Sequence, residues 1–94
     1  MHIRFSPEAS RDIASIRAYI ANDRPQAAGR MAARLTAACK SLSLFPNRGR
    51  MGVKAGTREL VTVYPYIIVY EVLPDVVQIV RIWHGAQDRS QDLP

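Results

Sequence analysis

Ninety-four residues, 48% of them apolar, are enough for one domain (residues 1–94) with a single two-layer core, and leave little to spare. No run of about 18 apolar residues is present to cross a membrane as a helix, the start Met1-His2-Ile3-Arg4-Phe5 lacks the apolar stretch of a secretory leader, and the single cysteine, Cys39, cannot close an internal disulfide, so a cytoplasmic protein is expected. The net charge of +5 is unevenly distributed, with residues 59–94 net acidic and everything before them net basic.

In chain order, His2 to Phe5 is short and partly alternating, a first strand. Ser6 then offers an N-cap oxygen, Pro7 suits the first helical position, and Glu8 favours the positive helix end. Ala9, Ile13, Ile16 and Ile20 form one stripe of a helix running to about Asn22. The segment Asn22-Asp23-Arg24-Pro25 punctuates, with Asp23 the expected cap of a second helix. Its stripe runs Ala28, Met31, Leu35, Ala38 or Cys39, then Leu42, which places Cys39 on the inner face as a buried structural thiol. A connection of about four residues makes the two helices antiparallel neighbours, and their many alanines permit close approach.

Phe45-Pro46 ends the second helix. Asn47 to Gly56 has three glycines and no regular period and reads as an exposed loop. It carries Arg48, Arg50 and Lys54, followed by Arg58, with no acid between residues 45 and 58. Such a loop is either a solvated face or a contact for nucleic acid, a ribosome or an acidic protein segment. Arginine outnumbers lysine eleven to two, which suits bidentate recognition of carboxylate or phosphate, though a GC-rich genome produces the same bias. Arg58 to Val63 is β-rich, Tyr64-Pro65 turns the chain, Tyr66 to Leu73 forms the next strand, and the Pro74-Asp75 turn leads into a last strand from Val76 through Trp83. Apolar residues on both faces of Tyr66–Leu73 mark it as a central strand.

Four local patterns carry a resemblance over nearly the whole chain: Phe5-Ser6-Pro7-Glu8-Ala9 with Asp12 and Ile13; Phe45-Pro46 with Arg48-Gly49; Gly56-Thr57-Arg58-Glu59-Leu60; and Tyr66 to Tyr70 followed by Trp83-His84-Gly85-Ala86 with Asp88. In this order the chain resembles the toxin component of bacterial toxin–antitoxin modules, the ParE/RelE superfamily, and leans to its ParE branch. The resemblance implies an α+β fold of order β-α-α-β-β-β, a helical hairpin packed on a small antiparallel sheet, with the first strand returning beside the last.

The superfamily supports two activities. Its mRNA-cutting members place an arginine directly after the first tyrosine of the third-strand motif, a basic residue after the glycine of the last-strand motif, and a tyrosine or histidine near the C-terminus, because attack by a 2′-oxygen builds charge on phosphorus and needs proton transfer at both ends. Here those positions hold Ile67 and Gln87, and no tyrosine follows Tyr70. Only Arg58 and His84 remain for a ribosome-dependent endoribonuclease, the alternative reading. The ParE branch implies instead a plasmid-stabilisation toxin that binds DNA gyrase and stabilises its cleaved-DNA complex without a catalytic step of its own. Gln87 departs from the arginine common there as well. Either branch implies a cognate antitoxin, ParD-like with a ribbon-helix-helix DNA-binding domain, whose disordered acidic segment folds onto the toxin, with Tyr19 and Met31 as candidate grips. A third reading is a degenerate, non-toxic antitoxin-binding partner.

The remaining candidates divide between structure and function. His84 is either a strand terminator, with Asp88 as its partner, or an acid–base group. Trp83 either packs on the sheet or stacks on a partner. Target or nucleic-acid contact is assigned to Arg48, Arg50, Lys54, Arg58, Trp83 and His84. No cofactor is expected, and no metal, since His2 and His84 are far apart in sequence with no evident third ligand and Cys39 is alone in a helix.

Overall fold

Ser6 joins three elements. In the computed structural model, which describes residues 1–86, its Oγ accepts the Ala9 N–H at 2.9 Å and donates to the Val80 carbonyl at 2.7 Å. The first bond caps α1 (Pro7–Ala21), which follows β1 (His2–Phe5). The second fastens that junction to β5 (Val76–His84).

After α1 the chain reverses into α2 (Pro25–Ser41). Pro25 takes the first turn of this helix, so the boundary residue is Arg24, which makes no side-chain cap. The expected cap, Asp23, lies one residue too early. Beyond α2, Leu42 turns inward and is fully buried. The loop that follows is exposed as expected, but it contributes a two-residue edge strand, β2 (Arg50–Met51), paired with Glu59 and Arg58. Gly56, at φ 85°, closes the turn back into β3 (Thr57–Leu60). β3 stops before Val61, earlier than its β-rich sequence suggests, because Val63 leaves the ladder to enter the core. β4 (Tyr66–Val72) then pairs with both β3 and β5.

The strand order is β1-β5-β4-β3-β2, with β4 in the middle. The α+β class and the return of the first strand beside the last both hold. The sheet is mixed rather than wholly antiparallel, because β1 runs parallel to β5; the pair is joined by everything from α1 through β4, well beyond the crossover length that parallel strands require.

A bulge decides which side chains of β5 meet the helices. Tyr70 pairs with Ile79 and Val69 with Arg81, leaving Val80 without a cross-strand partner. Before the bulge Val77 and Ile79 enter the core; after it Ile82 does. Without the extra residue Arg81 would point at the helices. The core under the hairpin joins Leu60, Tyr66, Ile68 and Tyr70 to Ala9, Leu35, Cys39 and Leu42, all buried. On the opposite face Ile67 pairs with Trp83, each 8% exposed.

Candidate functional site

The segment Phe45-Pro46-Asn47-Arg48-Gly49 is held from beneath by Tyr70. Its hydroxyl donates to the Pro46 carbonyl at 2.7 Å and accepts the Gly49 N–H at 2.8 Å. A Cβ on Gly49 would lie 2.6 Å from that hydroxyl and 2.9 Å from the Glu59 carbonyl, so the close approach demands glycine. Arg58 stands beside Tyr70 in the ladder, and its Nη1 donates to the carbonyls of Gly49 (2.8 Å) and Asn47 (3.3 Å). Arg58 is therefore part of the clamp on this loop.

The other loop charges diverge. Arg50 bonds the Glu59 carboxylate through Nε at 3.2 Å and Nη2 at 3.0 Å. Glu59 pairs in turn with Val69, which puts this ion pair on the sheet face away from the helices. Arg48 leans the other way and donates to Ser41 Oγ at 2.8 Å, at the end of α2. Lys54 is exposed at the β2–β3 turn, where its carbonyl accepts the Thr57 hydroxyl. Four charges adjacent in sequence thus serve at least two faces.

Asp12 organises the far end of β5. Its Oδ2 accepts the Ile82 N–H at 2.8 Å and Arg81 Nε at 2.9 Å, and Oδ1 accepts Arg81 Nη2 at 3.1 Å. β1 reaches only as far as Ile79, so Asp12 supplies the acceptor that a longer β1 would have given Ile82. The Arg81 guanidinium also lies 4.1 Å over the Trp83 ring, a cation–π contact that helps explain why Trp83 is buried. Trp83 thus packs on the sheet.

His84 ends β5 exposed, edge-on to Tyr66 at 5.7 Å, and its Nδ1 accepts the Ala86 N–H at 3.1 Å. Asp88 and Gln87 lie outside the described residues. Asp12, Ser15, Ile16, Tyr19, Tyr66, Ile82 and His84 line a groove of about 300 Å³ between α1 and the end of β5. Burial, and then the neighbouring Tyr19 hydroxyl, push the Tyr66 phenol above its ordinary value. Tyr19 is 77% exposed on the rim. Met31 is half-buried and packed on the core, so of the two expected grips only Tyr19 stands clear of the surface.

Arg58 and His84 are not brought together. Arg58 pairs with Tyr70 and His84 with Tyr66, which separates them by roughly 13 Å along the strands and roughly 10 Å across them. His2 and His84 occupy neighbouring strands, but His2 pairs with Val76, roughly 27 Å from His84 along β5. Among the described residues no group of three His, Cys, Asp or Glu is placed to hold a metal, and no helix is long and apolar enough to cross a membrane. Sequence reasoning passed over the exposed apolar residues Leu44, Phe45, Met51, Val53 and Tyr64. Only Phe45 carried a signal, its place beside the helix-ending Pro46, and that reads as punctuation. Asp12 was visible as part of a motif, but its edge-capping role depends on how far β1 extends.

The family described as ParE toxin of type II toxin-antitoxin system, parDE, matches residues 3–89, and the chain belongs to it. Toxin RelE2 of Caulobacter vibrioides is 50% identical over 76 residues, covering 81% of this chain and 85% of its own. The provisionally named toxin Y4kP of Sinorhizobium fredii is 41% identical over 92 residues, covering 97% and 95%. Among solved structures, a chain of the chromosomal ParDE TA system from P. aeruginosa superposes with a TM-score of 0.83 over 89% of this chain and 95% of that one; at 23% identity the likeness is one of fold. The protein is thus the toxin component of a type II toxin–antitoxin module, and its partner is an antitoxin.

Proposed function

We propose that this toxin acts in the cytoplasm by binding DNA gyrase, without a catalytic step of its own, and that a ParD-like ribbon-helix-helix antitoxin neutralises it. The observation that carries the reading is the separation of Arg58 from His84. An endoribonuclease needs a cation at the developing phosphorane and a proton-transfer group within reach of the same phosphate. Here the cation clamps a loop, the histidine lies across the sheet, and the apolar Ile67 is buried against Trp83.

The antitoxin reading draws support from two grooves. The rim around Tyr19 offers an aromatic anchor point. A second groove of about 570 Å³ runs between the helices, lined mainly by the small or apolar Ile13, Ala14, Ala18, Ala21 and Ala32, with Arg17 also on its lining, a surface suited to the apolar face of a partner helix. Leu44, Phe45, Met51 and Val53, in and before the β2 loop, add exposed apolar surface outside both grooves.

The test is a gyrase supercoiling and cleavage titration run beside a search for cuts in ribosome-bound mRNA. Linear, protein-linked DNA with intact mRNA is expected, and His84→Ala should remain toxic. Codon-positioned mRNA cuts with unaffected gyrase would overturn the reading in favour of the endoribonuclease. Silence in both assays, with antitoxin binding intact, would mark a degenerate partner.

A further inference from the structure

From Arg24 to Arg58 the chain carries eight basic residues and no aspartate or glutamate. The fold decides which of them gather. On α2, Ala28, Leu35 and Cys39 point inward, while Ala32 and Thr36 line the groove shared with α1. At 3.6 residues per turn, Arg30, Arg34 and Ser41 fall on the opposite flank, turned away from α1. Arg30 and Arg34 are exposed. Ser41 is the residue whose hydroxyl holds the Arg48 guanidinium, and that hydroxyl is itself fixed by donating to the Ala38 carbonyl at 2.6 Å. The loop arginine is thereby laid onto the helix flank, completing a row Arg30–Arg34–Arg48 roughly 16 Å long. Lys40 is exposed about 100° further round the helix. Among the described residues, no carboxylate pairs with any of these four, whereas Arg11, Arg50 and Arg81 all have acidic partners.

We propose that this flank is a track for the phosphodiester backbone of duplex DNA. Planar guanidinium forks match phosphate oxygens bidentately, and one of the three is already oriented by a neighbour. The exposed side chains on the outer face of α2 between the charges are Ala33 and Ala37, too small to grip a protein partner. No aromatic lies on α2 to stack an unpaired base. A duplex strand presents one charge per 3.4 Å, so roughly 16 Å spans about five phosphates for three arginines to choose among. The phosphate chemistry stands by itself; the choice of DNA over duplex RNA rests on the gyrase reading, since that target works on duplex DNA.

The test is fluorescence anisotropy of the full chain with a labelled DNA duplex of about 20 base pairs, between about 50 and 200 mM salt. Three phosphate contacts give a slope of about −2.7 in log K against log salt, a roughly 40-fold loss of affinity across that range. Arg30→Ala with Arg34→Ala should flatten the slope to about −0.9, a loss of roughly 3-fold. Alanine favours an exposed helix, so the variant should fold, and a thermal melt confirms it. Arg11→Ala with Arg17→Ala on α1 removes the same net charge and should leave the slope in place. Equal losses in the two double variants, or no salt-dependent binding by the parent, overturn the track. Tighter binding to duplex RNA, or to a poly-glutamate peptide, overturns DNA as its occupant. Gyrase cleavage by the same proteins separates the two proposals: poisoning by a parent that shows no salt-dependent DNA binding sinks the track alone, whereas DNA binding by a parent that never poisons gyrase sinks the gyrase reading alone.

Discussion

Replacing Tyr70 with phenylalanine removes one oxygen and should loosen the whole Phe45–Gly49 segment. The hydroxyl sits on a fully buried ring and makes two bonds, at 2.7 Å to the Pro46 carbonyl and 2.8 Å from the buried Gly49 N–H. A net intramolecular hydrogen bond contributes about 1 kcal/mol, and a buried donor left without a partner costs about 1–3 kcal/mol more, so Tyr70→Phe should cost about 3 kcal/mol. For a domain of this size, total stability is about 5–10 kcal/mol, and such a loss lowers Tm by roughly 15 °C. Circular dichroism melts measure the cost. Hydrogen exchange locates it, because the Gly49 amide should lose protection while amides of the β4–β5 ladder lose it only in step with global stability. The clamp reasoning fails if Tyr70→Phe melts within about 2 °C of the parent and its Gly49 amide stays protected. Gly49→Ala offers an independent check, since its Cβ would meet both the Tyr70 ring and the Glu59 backbone; it should destabilise by about as much.

Asp12 and the buried Cys39 each give a further outcome. Asp12→Ala strands the Ile82 N–H and frees one side of the Arg81 guanidinium, so urea unfolding should register a loss of about 2–3 kcal/mol, with Asp12→Asn intermediate because it keeps an acceptor for Ile82. Burial pushes the Cys39 thiol up to about 12 from its ordinary 9.0. At pH 8 it should react with an aromatic disulfide reagent only as fast as the protein opens. The sign of its pH effect follows from the same shift: above about pH 9 the unfolded chain loses the thiol proton while the fold retains it, so stability falls as pH rises toward 12. Cys39→Ala should flatten that decline in a set of urea curves taken across the range.

Much of this architecture is local and was therefore readable. Ser6-Pro7-Glu8 announces α1 because cap chemistry depends on neighbours in sequence, and the helical stripes named Ala9, Ala28, Leu35, Cys39 and Leu42, all buried. What escaped is set by distant partners. The bulge at Val80 depends on a register between two strands, β2 exists because Glu59 and Arg58 lie opposite it, and Asp23 lost its capping role to the position of Pro25. The site was less legible. A run of basic residues at 48–58 gave no means of seeing that Arg50 turns to Glu59, Arg58 to two carbonyls and Arg48 to Ser41.

The patterns that carried the family resemblance prove to be joints of the fold. Ser6 fastens β1, α1 and the bulge; Asp12 completes the open edge of β5; Pro46 and Gly49 are the two ends of the Tyr70 clamp; the Gly85 N–H donates to the Pro65 carbonyl at 2.8 Å. Joints specify an architecture and say nothing about a target, which fits relatives carrying both ParE and RelE names. Arg58 shows the consequence for experiment. Its guanidinium holds Gly49 and Asn47, so Arg58→Ala should weaken the fold whatever the toxin attacks. A loss of toxicity in that variant, taken without a melt, would look like a lost catalytic cation and would be a loosened loop. Exposed residues that brace nothing among the described residues, such as Tyr19, Arg30 and Arg34, are where changes in toxicity or antitoxin binding can be attributed to recognition, because a small substitution there leaves the joints in place.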